Sequence, residues 1–594
     1  MYINIKTFRK FEAYVFIRYK DRVFCTEFII MRNFLIAICW FLFCTARGAN
    51  YGNVVFSELM VDPEPSVGLP VAEYVEICNR SATSISLGGW NFLYGDKSYL
   101  LPSCTLGVGE YMVLCAKTTA KDFPSEIPVL GMNSFPSLLN TGKLMALTSS
   151  SNELICCMEY SDHWYGNAFK ANGGWSLECI DLSNFSGSGS NWRASNDVSG
   201  GTPGRKNSVS VVNPAFETPI CNRVYVPSPN TVEIHFSEFM QQCSLTNILN
   251  YSISPGSTIV LSAVVSFPDT RFVTLQLSDA LVAETIYQMS LSGLNNLSDF
   301  PLKDTVLSFG LPEKATAGSL QLNEILFNPL PNGSDYVEFV NVGSKCIDLS
   351  DVWLTNRSDG GDLNAGRRLS DKPLPCLPGS YWLLSESPDS VCAAGPFPKM
   401  PNALEINGFP SMPDDAGNVS LVTSSAEIID EMSYTKNLHF ALITDPEGVA
   451  LEKRQPDATS RLGSNWNSAN ASTHFGTPGF RNSLYKNVAF KDIKGFYTQQ
   501  AWMTPNNDGR NDRVCIQYEL PEPCVGSLSI FDLQGRLIRK LVNNEVLGVT
   551  GSYFWDGIRD DGTLAPLGRY ILFAEAITPE GRVFRSRLVL TILF

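Results

Sequence analysis

The sequence predicts an all-β protein built from β-sandwich modules in tandem. Short runs of β-branched and aromatic residues, such as Val54 to Met60, Tyr74 to Ile77 and Lys143 to Thr148, alternate with clusters of Pro, Gly and Ser. Beyond residue 50, no 3.6-residue periodicity is sustained over three turns, so strands must carry the fold. The sequence also repeats itself over about 155 residues, and this duplication sets the domain organisation.

Length and composition indicate several folded modules. A chain of 594 residues is too long for a single hydrophobic core, and 44% hydrophobic with 18% charged residues is an ordinary globular balance. The net charge of -14 would repel a phosphate backbone, which excludes nucleic acid as an expected partner.

The N-terminal segment predicts export. Residues 34–46 form an apolar run of 13 residues, preceded by Met31 and Arg32 and followed by small residues at Ala46 and Gly48. We interpret residues 1–50 as a signal peptide region, with Met31 as an alternative start. Because a spanning helix needs roughly 20 apolar residues, no transmembrane anchor is expected.

The cysteines leave two interpretations open. Thirteen follow residue 50, and export would permit disulfides, so we expect bonds between some of them and at least one free thiol. Alternatively, many are small buried hydrophobic residues, since no C-x-x-C pair suggests zinc or redox chemistry.

The duplication is collinear. The run ELMVDP at 58–63 recurs as EILFNP at 324–329, and EYVEICN at 73–79 recurs as DYVEFVN at 335–341. Toward the end of each copy, SNW at 190–192 and GTPG at 201–204 recur at 464–466 and 476–479. Four tryptophans fall at matching points and are expected in the cores: Trp90 with Trp353, and Trp192 with Trp466.

These motifs resemble the lamin tail domain family, an immunoglobulin-like β-sandwich found in many secreted bacterial proteins. The resemblance covers residues 51–208 and 317–483, which we interpret as two lamin-tail-like domains. Between them, residues 212–310 carry an alternating strand at 232–240 that ends in an F-S-x-x-M turn. This segment resembles the bacterial Ig-like domains of surface-layer proteins, which implies a spacer or scaffold.

Residues 486–594 form a fourth predicted module. The motif TPNNDGRND at 504–512 precedes alternating strands, and the segment resembles the C-terminal sorting modules of type IX secretion cargo and the Ig-like domain of the flagellar hook-capping protein. The resemblance implies recognition by secretion machinery, although no basic residue follows Leu590. The complete prediction is therefore four immunoglobulin-like β-sandwich modules in tandem.

The carboxylates that could carry chemistry occur in pairs. Glu58 with Glu76, and Glu324 with Glu338, lie on adjacent predicted strands of each copy. Acid–base or glycosidase catalysis needs two carboxyls at a fixed separation. Since duplicated domains rarely keep two active sites, we expect solvated or hydrogen-bonded strand carboxylates instead and assign no catalytic residue. The four histidines are scattered, and no G-x-S-x-G elbow supplies a nucleophile.

An oxygen-rich loop in the last module is a candidate calcium site. Asn506, Asp508, Asn511 and Asp512 surround Gly509, but the loop lacks the ligand positions of an EF-hand. The alternative is a turn whose side chains bond their own backbone. No other cofactor is expected.

Binding by the first copy alone would involve Trp164, Tyr165 and Trp175, which have no aromatic counterparts in the second copy. We expect a secreted or outer-membrane surface protein, not an enzyme, that serves structural, adhesive or ligand-binding display toward a protein or polysaccharide. The alternative is an accessory or catalytic subunit of an extracellular hydrolase, a nuclease or glycosidase, that uses the duplicated Glu pairs.

Overall fold

A computed structural model describes residues 51–184, 187, 189–213, 218–398, 400, 402–440, 443, 445–485, 494–506, 508–578 and 581–593. The predicted signal peptide region, residues 1–50, lies outside the described residues. The described chain is almost entirely β-strand, and its larger sheets pair into tandem sandwiches, as the sequence predicts. Two short α-helices, α1 (Gln242–Leu245) and α2 (Pro388–Ala394), interrupt the strands.

The first module pairs a six-stranded with a four-stranded sheet. The sheet orders are β12-β11-β1-β2-β7-β8 and β10-β9-β4-β5, and β3 pairs with β6. The strands are β1 (Val54–Met60), β2 (Tyr74–Asn79), β3 (Ile85–Ser86), β4 (Asn91–Tyr94), β5 (Lys97–Leu100), β6 (Thr105–Leu106), β7 (Tyr111–Ala116), β8 (Val129–Met132), β9 (Gly142–Thr148), β10 (Leu154–Ser161), β11 (Leu177–Cys179) and β12 (Trp192–Ala194).

The second module is smaller. Its sheets have the orders β13-β14-β17-β16 and β15-β18-β19. The strands are β13 (Cys221–Ser228), β14 (Thr231–Phe236), β15 (Tyr251–Ser254), β16 (Val260–Val265), β17 (Phe272–Leu277), β18 (Ile286–Leu291) and β19 (Thr305–Gly310).

The third module repeats the topology of the first. Its orders β31-β30-β20-β21-β26-β27 and β29-β28-β23-β24 match those of the first module strand for strand, and β22 pairs with β25 as β3 does with β6. The strands are β20 (Leu320–Leu326), β21 (Tyr336–Asn341), β22 (Ile347–Asp348), β23 (Val352–Thr355), β24 (Arg367–Arg368), β25 (Pro375–Cys376), β26 (Tyr381–Ser385), β27 (Ala403–Glu405), β28 (Ala416–Thr423), β29 (Ile428–Thr435), β30 (Leu451–Lys453) and β31 (Trp466–Ser468).

The fourth module has sheets of orders β32-β34-β37 and β33-β39-β38-β35-β36. Strict alternation of buried and partly exposed residues along β35 puts one face of that strand into the core. The strands are β32 (Gly495–Tyr497), β33 (Trp502–Met503), β34 (Val514–Glu519), β35 (Cys524–Asp532), β36 (Leu537–Leu547), β37 (Thr550–Trp555), β38 (Gly568–Ile577) and β39 (Val583–Ile592).

Each module buries its own hydrophobic cluster between its two sheets. Short 3₁₀ turns link the strands, at Ala120–Asp122, Asp162–Tyr165, Lys170–Asn172, Gly189–Asn191, Ile248–Asn250, Leu349–Asp351, Lys436–Leu438, Gly463–Asn465 and Ala471–Thr473.

The predicted equivalence of Trp90 and Trp353 in the two copies is wrong by one residue. In the first module, Asn91 lies opposite Thr148 on β9, and in the third Trp353 lies opposite Val422, the equivalent position on β28. Trp90 is therefore equivalent to Val352, and both are buried. Since a shift of one residue turns a side chain to the other face of a strand, Trp353 lies outside the core and is only partly buried. Trp192 and Trp466 are buried, as expected.

The expectation of disulfides is also wrong for this structure. Within the described residues, none of the 13 cysteines after residue 50 forms a disulfide, and eight of them are buried. Cys156 and Cys157 illustrate the reason, because adjacent strand residues point to opposite faces. Cys156 packs in the core of the first module, whereas Cys157 packs against Phe239 of the second. The cysteines act as small hydrophobic residues, the alternative interpretation of the sequence.

The corrected register makes a testable distinction between two tryptophans. We expect Trp90→Ala to destabilise the protein by roughly 3–5 kcal/mol, because it empties a core position. Trp353→Ala should cost far less, since that side chain already contacts solvent. Calorimetric or urea-induced unfolding of the full chain measures both, and equal losses would contradict the one-residue shift.

Candidate functional site: the buried glutamate ladders

Three glutamates line up across adjacent strands of each large sheet. In the first module, Glu58 on β1 lies directly opposite Glu76 on β2 and Glu178 on β11. In the third module, Glu324, Glu338 and Glu452 occupy the same register. All six side chains are fully buried. We call these two rows the glutamate ladders.

The structure confirms that the predicted pairs Glu58/Glu76 and Glu324/Glu338 lie together, and it adds a third member to each. The added members, Glu178 and Glu452, were missed by reasoning that considered only neighbouring strands in sequence. The signal that could have found them is the recurrence of Leu-Glu at 177–178 and 451–452.

A segment at the end of each copy closes over its ladder. We call residues 201–209, and 476–484 in the second copy, the straps; each begins with the GTPG motif. Glu58 accepts hydrogen bonds from the Thr202 amide at 2.8 Å and the Thr202 hydroxyl at 3.0 Å. Glu76 accepts from the Gly204 amide at 2.5 Å. Glu178 accepts from the Ser208 hydroxyl at 2.7 Å and the Val209 amide at 3.1 Å.

The second ladder repeats this network almost atom for atom. Glu324 accepts from the amide and hydroxyl of Thr477, and Glu338 accepts from the Gly479 amide. Glu452 accepts from the Ser483 hydroxyl at 2.8 Å and the Leu484 amide at 2.9 Å. A buried tyrosine hydroxyl completes each site, from Tyr74 to Glu58 at 2.6 Å and from Tyr336 to Glu324.

The geometry favours a proton within each ladder. The Thr202 hydroxyl lies 3.0 Å from Glu58 and 2.9 Å from Glu178, yet it has one hydrogen to share between them. A proton on Glu58 would relieve this competition. The same arrangement holds at Thr477, which lies 2.7 Å from Glu324 and 2.9 Å from Glu452.

Burial and repulsion between neighbouring carboxylates raise the pKa values of the ladder glutamates that could hold this proton. Burial, with a smaller contribution from the charge of Glu178, raises the pKa of Glu58 to about 7 against the opposing hydrogen bond from Tyr74. Burial and the nearby charge of Glu452 raise the pKa of Glu324 to about 8. The pKa values of Glu76 and Glu338 are raised well above normal, by burial and then by the charge of Glu58 or Glu324.

The ladders have the carboxyl content of an acid–base site but lack access to substrate. A catalytic carboxyl must touch the reacting atoms. Here the oxygens contact the strap and neighbouring hydroxyl groups, and the side chains are fully buried. What the arrangement does is fasten the end of each sandwich to its central strands.

Within the described residues, no histidine forms a hydrogen bond with a ladder glutamate. His163 is exposed, His235 stacks on Phe272 with ring centroids 3.8 Å apart, and His439 bonds the Ser468 hydroxyl at 2.9 Å. Across the described ranges, no group of three or more His, Cys, Asp or Glu residues is arranged to hold a metal ion. No helix within those ranges is long and apolar enough to cross a membrane.

The aromatic loop that distinguishes the first copy serves packing. Tyr165 is buried and donates to the Trp175 carbonyl at 3.2 Å, and Trp164 stacks on Trp192 with centroids 6.2 Å apart. Lys170 covers Trp175, with its Nζ 4.5 Å from the ring centroid. These rings contact their own module, so the loop is a poor candidate for ligand binding.

The four predicted calcium ligands lie close together in the loop between β33 and β34. Asp512 accepts from the amides of Asn506 at 3.2 Å and Gly509 at 2.8 Å, and Asp508 accepts from the Arg510 amide at 2.7 Å. Asn511 accepts from the Gln500 amide group at 2.9 Å. These contacts are those of a self-bonded turn, and calcium binding stays a prediction.

Two family models match parts of this chain. The lamin tail domain model matches residues 47–162, and the bacterial Ig-like domain model matches residues 211–309. The first match ends before Glu178 and the strap, so two of the elements described above lie beyond it. A search of curated proteins finds no match.

Solved structures resemble the chain only remotely. The N-terminal part of the bacterial S-layer protein SbsC is 16% identical over 37% of this chain and 44% of its own, with a TM-score of 0.16. FlgD from P. aeruginosa is 19% identical over 13% of this chain and 60% of its own, with a TM-score of 0.12. The chain thus covers less than two thirds of either structure.

The ladders predict an unusual dependence of stability on pH. The pKa values of Glu58 and Glu324, about 7 and about 8 in the folded protein, lie above the ordinary value of 4.5. Between pH ~4.5 and pH ~7–8, the folded state therefore binds more protons than the unfolded state. The stabilisation is complete below pH ~4.5 and is lost as the pH rises through ~7–8. At about 1.4 kcal/mol per pKa unit, we expect a loss of a few kcal/mol.

Calorimetry of the full chain between pH 5 and pH 9 measures this effect. Glu58→Gln imitates the protonated side chain, because an amide can accept from Tyr74 and Thr202 and donate to the Thr202 hydroxyl. The variant should reduce the pH dependence of the first module's unfolding. The third module, with Glu324 intact, serves as an internal control. Equal pH responses in the variant and the natural chain would contradict the assignment.

Calcium binding is tested on the full chain as well. If calcium binds at Asp508 and Asp512, Ca²⁺ at 100 times its dissociation constant adds about 2.7 kcal/mol of stability, and chelation removes it. Asp508→Asn should weaken the response. Asp561→Asn is a matched control, since Asp561 caps a separate turn by accepting from the Thr563 amide at 2.9 Å. Unchanged unfolding on chelation would count against the site.

Proposed function

We propose that this chain is a non-catalytic modular protein, exported to the medium or the outer-membrane surface, whose sandwiches hold binding surfaces in a fixed arrangement. The observation that carries the proposal is the sealing of the glutamate ladders in both copies. The carboxyl clusters that are the best catalytic candidates in the sequence bind the straps in both copies. This repeated arrangement fits a structural role.

Contacts at the three junctions support a fixed arrangement. Phe239 and Leu297 of the second module pack on Ala146 and Cys157 of the first, and Arg271 pairs with Glu159 at 2.7 Å. Between the second and third modules, the Val226 amide donates to the Pro373 carbonyl at 3.0 Å. At the last junction, Asn470 donates to the buried Tyr518 hydroxyl. Buried contacts of this kind restrict relative domain motion.

The straps support a role under mechanical tension. Each strap is the segment through which the chain leaves its sandwich toward the next module. A pull on the chain would therefore load several buried hydrogen bonds to the ladder at once, which favours a protein that links a surface to a ligand.

The finer identity of the modules is part of the proposal. We infer that residues 317–483 are a second lamin-tail-like domain, because they share sheet order and ladder with the first copy. Residues 486–594 would be a sorting or anchoring module recognised by secretion machinery, and the partner a protein or polysaccharide.

A hydrolase is the competing function, and the ladders provide its test. The experiment assays the full chain against nuclease and glycosidase substrates beside the double variant Glu76→Gln, Glu338→Gln. Glu126→Gln, at an exposed position, is the control. We expect no turnover from any of the three proteins. Turnover that survives in the control and disappears in the double variant would overturn the proposal.

A further inference from the structure

A buried lysine of the third module takes no part in the glutamate ladder. Lys453, the last residue of β30, is fully buried. Its Nζ donates to Gln321 Oε1 at 2.5 Å, to the Pro456 carbonyl at 3.0 Å and to Ser460 Oγ at 2.9 Å. All three acceptors are uncharged, whereas a buried lysine is usually paired with a carboxylate.

The surroundings of Lys453 favour its neutral amine, which is the nucleophilic form of the side chain. Burial lowers the pKa of Lys453 to about 8, against the opposing charges of Asp430 and Asp457. About half of the molecules therefore carry a neutral amine at pH ~8. Ser460 Oγ in turn donates to Asp430. A chain of two hydrogen bonds thus leads from the amine to a carboxylate that can take its proton.

The side chain of Gln321 presents an acyl group to this amine. Since a carbonyl bond is about 1.23 Å long, Nζ of Lys453 lies no more than about 3.7 Å from Cδ of Gln321. Reacting atoms in a near-attack arrangement are about 3–3.5 Å apart. The hydrogen bond therefore holds the amine close to the carbon of a carboxamide, at a lysine that solvent does not reach.

The first copy lacks this chemistry at the same place. In register, the residues equivalent to Gln321, Asp430 and Lys453 are Val55, Cys156 and Cys179. These three residues of the first copy are all buried. The shared fold therefore does not need a polar group here. The amine, the carboxamide and the carboxylate replace apolar and thiol side chains together, which indicates that they act as one group.

We propose that Lys453 and Gln321 join in a self-formed isopeptide bond. The Lys453 ammonium group passes one proton through Ser460 to Asp430, and the neutral Nζ attacks Cδ of Gln321. The Nζ–Cδ bond forms and the Cδ–Nε2 bond breaks. A second Nζ proton goes to the departing nitrogen, which leaves as ammonia and takes the proton held by Asp430 with it as ammonium. The exchange involves no oxidation and needs no further reactant.

The bond fastens two strands that share only a short ladder. β20 and β30 pair at two positions, Glu324 with Glu452 and Ile325 with Leu451. A covalent link from residue 321 to residue 453 closes a long loop of the chain and so restricts the unfolded state. The reaction occurs once and on no other molecule. The inference therefore goes beyond the proposed display function, which does not require the bond.

Intact-mass spectrometry of the full chain, synthesised from purified translation components at pH ~8, tests the bond. We expect a mass lower by one ammonia than the sequence gives. In a tryptic digest, the peptide that contains Gln321 should be joined to the peptide that contains Lys453, with no cleavage after Lys453. Cleavage after Lys436, an exposed lysine that pairs with Asp415 at 2.7 Å, is the internal control.

Three variants separate the parts of the reaction. Lys453→Met and Gln321→Leu each remove one partner, so neither should lose ammonia or give the joined peptide. Asp430→Asn keeps an acceptor for the Leu322 amide and for Ser460 but cannot hold the proton. The bond should then form about a hundredfold more slowly and still reach completion, which distinguishes lost proton transfer from lost folding.

Four results would overturn the proposal: an unmodified mass for the natural chain, ammonia loss with normal cleavage after Lys453, ammonia loss that persists in Lys453→Met, or an unchanged rate in Asp430→Asn. The proposed function fails by a different measurement, the turnover of an external substrate that the Glu76 and Glu338 substitutions abolish. The two failures are therefore distinguishable.

Discussion

The burial of three carboxyls in one row is the constraint on which both copies of the repeated sandwich depend. A carboxylate moved out of water costs several kcal/mol unless hydrogen bonds or a proton compensate it. In this fold, the strap supplies amides and a threonine hydroxyl, and the raised pKa values of Glu58 and Glu324 favour a proton in each row. The sandwich and its strap therefore stabilise each other, because neither the bare ladder nor the free strap satisfies its own polar groups.

The two copies keep this interior and differ where they meet their neighbours. On the outer face of the smaller sheet, the first copy places Leu144, Ala146 and Cys157, and the second module covers them. The equivalent positions in the third module are Asn418, Ser420 and Glu431, and Glu431 pairs with Arg357 and Arg461. The exchange of Cys157 for Glu431 has the same origin, since an apolar junction accommodates a buried thiol and an ion-pair network does not.

The most buried titratable groups of the two copies fasten strands and straps. The side chains of the ladders are fully buried, so their oxygens are taken up by the protein's own donors. This explains why clusters of acidic residues are a poor guide to chemistry here.

The sequence by itself determined the all-β class, the duplication and the adjacency of Glu58 with Glu76, because two-residue alternation and repeated motifs are local signals. Only the tertiary structure decided which face Trp353 occupies, since a slip of one residue reverses every side chain and the repeat alone could not detect it. Tertiary structure also decided that the carboxyls are sealed. The groups that seal Glu58 and Glu76 lie 144 and 128 residues further along the chain, and contacts over such distances leave no periodic trace in sequence.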